Sequence, residues 1–143
     1  NTDILYFDKL FFTQKRAIHA IAGLDFGEST EHAFKDLQLL KLRDLFKFQY
    51  ANLMWDQDHG LLPPSLDTFF VKISDVHNYK TRSSSAHKLA EIVKINTKTH
   101  GENMLKYQGP KTLNDLKQYD FFLKSKTKQK FKAKHKSFLL SFY

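Results

Sequence analysis

Cysteine is absent from the 143 residues, which excludes both a disulfide framework and a thiolate-ligated metal site. The absence fits an intracellular chain. No apolar run approaches the roughly 20 residues that a bilayer-crossing helix needs, so no membrane span is expected. The opening residues, Asn1-Thr2-Asp3, carry neither a methionine nor the basic stretch of a secretory leader. They read as the start of a processed product or of a piece of a longer chain. Nowhere do two aspartates stand side by side, as they often do on the turn that holds the paired metal ions of a polymerase. An intact polymerase site is therefore not expected. Gly101 and Gly109 belong to no phosphate-cradling loop with a Gly-Lys-Ser/Thr ending, and nucleotide hydrolysis is not supported. Acidic residues stop at Asp120.

That last absence is matched by an excess. From residue 121 onward there are seven Lys and no Asp or Glu, a charge of +7, whereas residues 1–120 carry only +1. Between Lys124 and Lys136 lysine occupies every second position. A concentrated cation on a nearly neutral body faces nucleic acid, an anionic membrane surface, or nothing beyond solvent. The body itself is not a disordered composition, with 41% hydrophobic residues including 14 Phe and 6 Tyr. Each aromatic side chain buries roughly 150–250 Å² when packed, and the length suits a single domain with a real core.

Apolar spacing organises the chain. Ile4, Phe7, Phe11, Ile18 and Ile21 mark the buried stripe of a first helix, with Asp3 as N-cap and Gly23 at its end. Thr30 is placed to cap a short second helix through Ala33, Phe34 and Leu37. Leu42, Leu45, Phe46, Gln49 and Leu53 trace the inner face of a third, stopped by Gly60 and Pro63-Pro64. Ser65 to about Val71 reads as a further short helical piece, and Ser74 to Ser85 as a polar loop. Leu89–Thr97 and Asn103–Tyr107, rich in Ile, Val, Thr and Tyr around a turn at Gly101, are expected to pair as a hairpin, with Pro110 interrupting beyond it. Thr112 to about Leu123 is ambiguous. A last helix should begin near Ser125 or Thr127. On a strand the alternating lysines would all share one self-repelling face, whereas a helix scatters them, so Phe131, Phe138 and Leu139 are expected to anchor a helix with the lysine stems reaching outward. The expected fold is mainly α: one domain over 1–143, with a helical body at 1–72, a polar loop and small β hairpin at 74–108, and a C-terminal helical part at 112–143 that ends in the basic helix.

Chemistry-bearing constellations are few. His19, His32, His59, His77, His87, His100 and His135 show no pairing four apart that would put two zinc ligands on one helical face. Asp56-Gln57-Asp58-His59-Gly60 hints at a calcium loop but lacks the third acidic position and the closing glutamate; a small nuclease using Asp56, Asp58 and a histidine is the enzymatic rival. Ser83-Ser84-Ser85 beside His77 and His87 has no glycine-framed nucleophile elbow. No cofactor, metal or catalytic residue is expected.

Several short pieces, read in order, carry a resemblance: Gln14-Lys15-Arg16-Ala17-Ile18 with Ile21; Thr30 to Phe34; Leu40-Lys41-Leu42-Arg43-Asp44-Leu45 leading to Gln49; and Leu61-Leu62-Pro63. They continue with His77-Asn78-Tyr79-Lys80-Thr81-Arg82, Tyr107-Gln108-Gly109-Pro110-Lys111 with Asn114, and Phe131-Lys132. Over nearly the whole chain this order resembles the C-terminal, thumb and post-thumb region of non-LTR (LINE-type) retrotransposon reverse transcriptases. The chain departs from that pattern at His19, Leu113, Lys117 and His135, where the family has arginine, tryptophan, proline and an apolar residue. The resemblance implies a non-catalytic part of an RNA-directed DNA polymerase that cradles template and primer. Its partners would be RNA, DNA or an RNA–DNA hybrid, together with the palm and fingers of a larger polypeptide, and its location nuclear; a membrane is not among the partners. The rival is a protein-interaction or structural module, domesticated or decaying.

Phosphate contacts are expected from Lys15 and Arg16, with His19, on the face of the first helix away from the buried stripe. Lys80 and Arg82 lie in the polar loop beside Tyr79, a ring suited to stacking on a base. Lys106 and Lys111 flank the segment containing Tyr107, a second stacking candidate, where Gly109 permits close backbone approach and Pro110 fixes a turn. Lys124, Lys126, Lys128, Lys130, Lys132, Lys134 and Lys136 are expected to supply affinity and salt dependence without sequence choice.

Overall fold

Twenty-one residues without a glycine or proline, Thr2–Ala22, form the first helix, α1. The computed structural model describes residues 2–67, Phe70, 105–116, Tyr119, Phe122 and 124–143. Asp3 lies inside the first turn of α1 instead of capping it. At the other end Gly23 adopts φ +63°, and the Leu24 N–H donates to the His19 carbonyl at 3.1 Å. This bond over six residues needs the left-handed conformation that glycine reaches without strain. Leu24 then packs against Ile18, Ala33 and Phe34. Phe7 and Phe11 are half-buried and Ile18 is buried, as the spacing predicts, but Ile21 is 66% exposed. The chain turns back from Gly23 along the flank of Lys15 and His19, which leaves the opposite flank of Tyr6, Leu10 and Ile21 uncovered among the described residues.

Helix α2 (Glu31–Asp36) buries Ala33 and Phe34. Thr30 stands at its cap position, yet its backbone is already helical (φ −79°, ψ 0°) and its hydroxyl makes no cap bond. A capping hydroxyl is aimed by extended backbone; here the Ser29 Oγ accepts from the Glu31 N–H instead, at 3.3 Å.

Helix α3 (Leu42–Asp58) is started by a side chain from another helix. Gln14 of α1 accepts from the Leu42 N–H through Oε1 and donates through Nε2 to the Leu40 carbonyl, both at 2.9 Å. One amide thus satisfies a donor that every helix start leaves open. Gln14→Ala is expected to cost about 1–3 kcal/mol, the desolvation cost of two half-buried backbone groups left without partners. Thermal unfolding checks it, and a loss below about 0.5 kcal/mol would mean that water serves both groups equally well.

The apolar spacing suggests the inner face of α3 only in part: Leu42 is half-buried and Leu53 packs against the core, but the fully buried residues lie elsewhere. Ala51, Asn52, Met54 and Trp55 are buried, while Leu45 and Phe46 are substantially exposed. At 100° per residue Leu45 lies opposite Met54, and Phe46 lies opposite Trp55. Both sides are apolar, so periodicity cannot choose between them; the choice falls to the aromatic side chains that pack on Trp55 and Met54.

After α3, the four-residue α4 (Pro64–Asp67) begins at a proline, whose missing N–H costs nothing in a first turn. Helix α5 (Leu105–Leu116) corrects two expectations. Leu105, Lys106 and Tyr107, assigned to the second strand of a hairpin, are helical, and among the described residues there is no strand. The first strand, 89–97, lies outside them. Pro110 sits inside α5 and does not interrupt it. Packing decides both points: Gly109, Leu113 and Leu116 bury one face of the helix, and a Cβ on Gly109 would lie 3.1 Å from both the Met54 Sδ and the Phe70 ring. Glycine before proline also removes the Cβ clash that disfavours helix at that position.

The last helix, α6 (Lys128–Leu140), starts where expected. Thr127 caps it, its hydroxyl accepting from the Lys130 N–H at 3.4 Å and its carbonyl from the Phe131 N–H at 3.0 Å. Mainly α holds as the fold class, with six helices among the described residues.

The chain divides into two compact units, Asn1–Phe48 with Ala133–Tyr143, and Gln49–Lys132. In the first, Ile18, Ala33 and Phe34 form one cluster and Leu40, Leu139 and Leu140 another, with Tyr143 packed against both. The Tyr143 hydroxyl donates to Asp44 Oδ2 at 2.8 Å and accepts from the Lys41 N–H at 2.7 Å, while the Lys41 ammonium lies 4.3 Å from the ring centroid. Burial, reinforced by the Asp44 carboxylate, raises its phenol above the ordinary range. In the second unit Met54, Trp55, Leu113, Leu116, Phe122 and Phe131 are central to the core.

Candidate nucleic-acid interface

Lys15, Arg16 and His19 share one flank of α1 because residues one, three and four apart fall within a 100° arc of a helix. The structure brings all three to the wall of one cleft of about 800 Å³ in the first unit, opposite the 26–31 segment and Lys41. Lys15 and Arg16 are exposed. The Lys15 ammonium hovers 4.9 Å from the Phe11 ring centroid. His19 does a structural job: its Nε2–H donates to the Asp25 carbonyl at 2.9 Å, tying the returning loop to α1. At the far wall Lys41 is engaged by Glu31 at 3.0 Å, and that hydrogen bond and charge hold the Glu31 carboxyl below its usual range.

Two aromatic rings on this cleft were not singled out by sequence reasoning. Phe12 is 62% exposed and Phe26 is fully exposed. The available signal was the turn chemistry of Asp25-Phe26-Gly27-Glu28, in which a large ring stands beside a glycine with no apolar periodicity to bury it.

The lysine-rich segment forms the second element. Of its seven lysines, Lys128 donates to Asp56 in a partly buried ion pair. This pairing also engages one oxygen of the carboxylate that the Asp56-Gln57-Asp58 pattern offered to a metal. Lys126, Lys130, Lys132 and Lys134 are exposed, Lys136 is half-buried, and among the described residues no carboxylate lies within ion-pair distance of these five. Lys124 is exposed just ahead of the helix. Along α6, Lys128, Lys132 and Lys136 form one row and Lys130 and Lys134 another, flanking the buried Phe131, His135 and Leu139.

On α5, Lys106 and Lys111 are exposed and Tyr107 is half-buried, the Lys111 ammonium lying 5.6 Å from its ring centroid. Tyr79, Lys80 and Arg82 lie outside the described residues. No group of three or more His, Asp or Glu side chains gathers as metal ligands among the described residues, and none of the described helices is long and apolar enough to cross a membrane. No protein-family model, curated protein or solved structure matches this chain.

Proposed function

We propose that this chain is a non-catalytic nucleic-acid-holding part of a LINE-type reverse transcriptase, gripping template and primer for a palm and fingers supplied by a larger polypeptide, in the nucleus. The observation that carries the reading is the electrostatics of α6. A solvated helix gains by placing acids in its first turn and pairing them with bases four residues on. Helix α6 does the reverse: no acid in its first turn, Lys128 and Lys130 there, and like charges four apart in both rows. Each such pair costs roughly 0.2–0.5 kcal/mol, and the helix is held by Phe131 and Leu139 in spite of it. A polyanion lying along these rows turns the same charges into a gain.

The resemblance supplies the finer identity, and the Lys15–Arg16 pair on the cleft agrees with it. With about 4 phosphates neutralised, log affinity for an RNA–DNA hybrid is expected to fall against log salt with a slope of about −3 to −4, roughly a hundredfold between 50 and 200 mM. Fluorescence anisotropy of a labelled hybrid measures it on the whole chain. Changing Lys126, Lys130, Lys132 and Lys134 together to Gln should flatten the slope toward zero. Weak binding that is indifferent to salt and to the four changes would overturn the proposal in favour of a protein-interaction module.

A further inference from the structure

We infer that the cleft beside α1 holds an unpaired nucleotide of the bound nucleic acid, its base stacked on Phe26 and its phosphates met by Lys15 and Arg16. The inference rests on the nucleic-acid reading above and assigns that reading a single-strand subsite.

Asp25 to Glu28 closes with the Glu28 N–H donating to the Asp25 carbonyl at 3.1 Å, and Gly27 at the third position has φ +92°. A positive φ there is the mark of a type II turn and demands glycine. Two further bonds fix it: the Asp25 N–H donates to Glu28 Oε2 at 2.8 Å, and His19 Nε2–H reaches the Asp25 carbonyl at 2.9 Å. Phe26 therefore stands on a tied-down turn with its whole ring in solvent. It contributes no burial to the fold, and the fixed backbone beneath it lowers the ordering cost of binding.

The surroundings select the occupant. Phe12 offers a second exposed ring on the same cleft, and Lys15 and Arg16 place two cations beside it. Lys41 and Glu31 neutralise one another, and the Glu28 carboxylate with the Ser29 and Thr30 hydroxyls provides acceptors suited to base amino groups. The volume falls within the roughly 300–1,000 Å³ of small-ligand sites and so admits a nucleotide. Aromatic rings interleaved with cations are the arrangement that binds single strands. A paired base inside a duplex has both faces covered by its neighbours, so only an unpaired base can present a face to Phe26.

The test uses the full chain, a labelled single-stranded oligonucleotide and the same sequence as an RNA–DNA hybrid. Phe26→Ala is expected to weaken single-strand binding about tenfold without altering its salt slope, to leave the hybrid unaffected, and to be reversed by Phe26→Tyr. Lys15→Gln with Arg16→Gln should flatten the single-strand slope by about 1.4. Circular dichroism checks that Phe26→Ala keeps its helices, as a surface change should. If Phe26→Ala binds single strands like the parent while the parent still binds the hybrid with a steep salt slope, the subsite is wrong and the nucleic-acid reading stands. If the parent binds neither form at 50 mM salt, both are overturned. Loss of a dimer in light scattering on Phe26→Ala, with single-strand binding unchanged, would reassign the ring to self-association and also overturn the subsite.

Discussion

Phe131→Ala should lower the stability of the unit built around it by about 3–5 kcal/mol. Phe131 is fully buried, stacked at 6.0 Å from Trp55 and edge-on at 5.5 Å to Phe122. Truncation removes both aromatic contacts and opens a cavity between rigid rings that cannot easily collapse. It also loosens the anchor of a helix whose lysines work against it, so the cost should exceed that of a comparable change on α1. Set against the 5–15 kcal/mol typical of a folded domain, this is a large share of the total. Trp55 is the one tryptophan in the sequence and sits against the altered side chain, so urea titration followed by its fluorescence reads the effect directly. Phe131→Leu, which fills most of the volume, should recover more than half of the loss. A cost below about 1 kcal/mol for the alanine variant would show that the packing around Trp55 is not as described.

Acid should destabilise the chain through His135. This imidazole is buried and stacks on Phe48 at 5.6 Å, and burial pushes its pKa down from 6.5 to about 4. At pH 7 the folded imidazole is neutral and the unfolded one mostly so, and the pH dependence it contributes there is small. Between 6.5 and about 4 only the unfolded chain takes up the proton, so stability falls as pH falls through that window. Below about 4 the folded form is protonated too and the slope from this group vanishes. Integrated across the window the loss is about 2–3 kcal/mol. His135→Leu, which cannot take up a proton, should remove this component. Thermal unfolding of both forms from pH 7.5 to 4 provides the comparison. Parallel curves for the two would assign the acid sensitivity to other groups.

Much of this architecture is legible in the sequence, and the parts that are not share a cause. Helix positions follow from local chemistry: glycines at 23 and 60 end α1 and α3, Pro64 opens α4, and Thr127 starts α6 with Phe131 and Leu139 on its buried face. Local signals stop being sufficient where two answers satisfy them equally. Helix α3 has apolar residues on opposite sides, and the side that is buried is the one that Leu113, Phe122 and Phe131 reach from distant parts of the chain. Residues 105–107 have strand-forming character on their own, but join a helix because Gly109 lets α5 settle against Met54 and Phe70. The cleft was half visible: Lys15, Arg16 and His19 follow from helical geometry, whereas Phe12 and Phe26 are ordinary core candidates by composition.

By itself the sequence determined the charge of the lysine-rich end, the absence of cysteine chemistry, the mainly helical class and most helix ends, because each depends on residues within a turn or two of one another. Only the tertiary structure decided which face of α3 is inside, that Lys128 is occupied by Asp56 while Lys126, Lys130, Lys132 and Lys134 have no carboxylate within ion-pair distance among the described residues, that Gln14 starts a helix 28 residues away, and that Phe26 is left in solvent on a fixed turn. Those outcomes depend on which surfaces the folded chain has available to cover one another, and that is set by contacts between residues far apart in sequence.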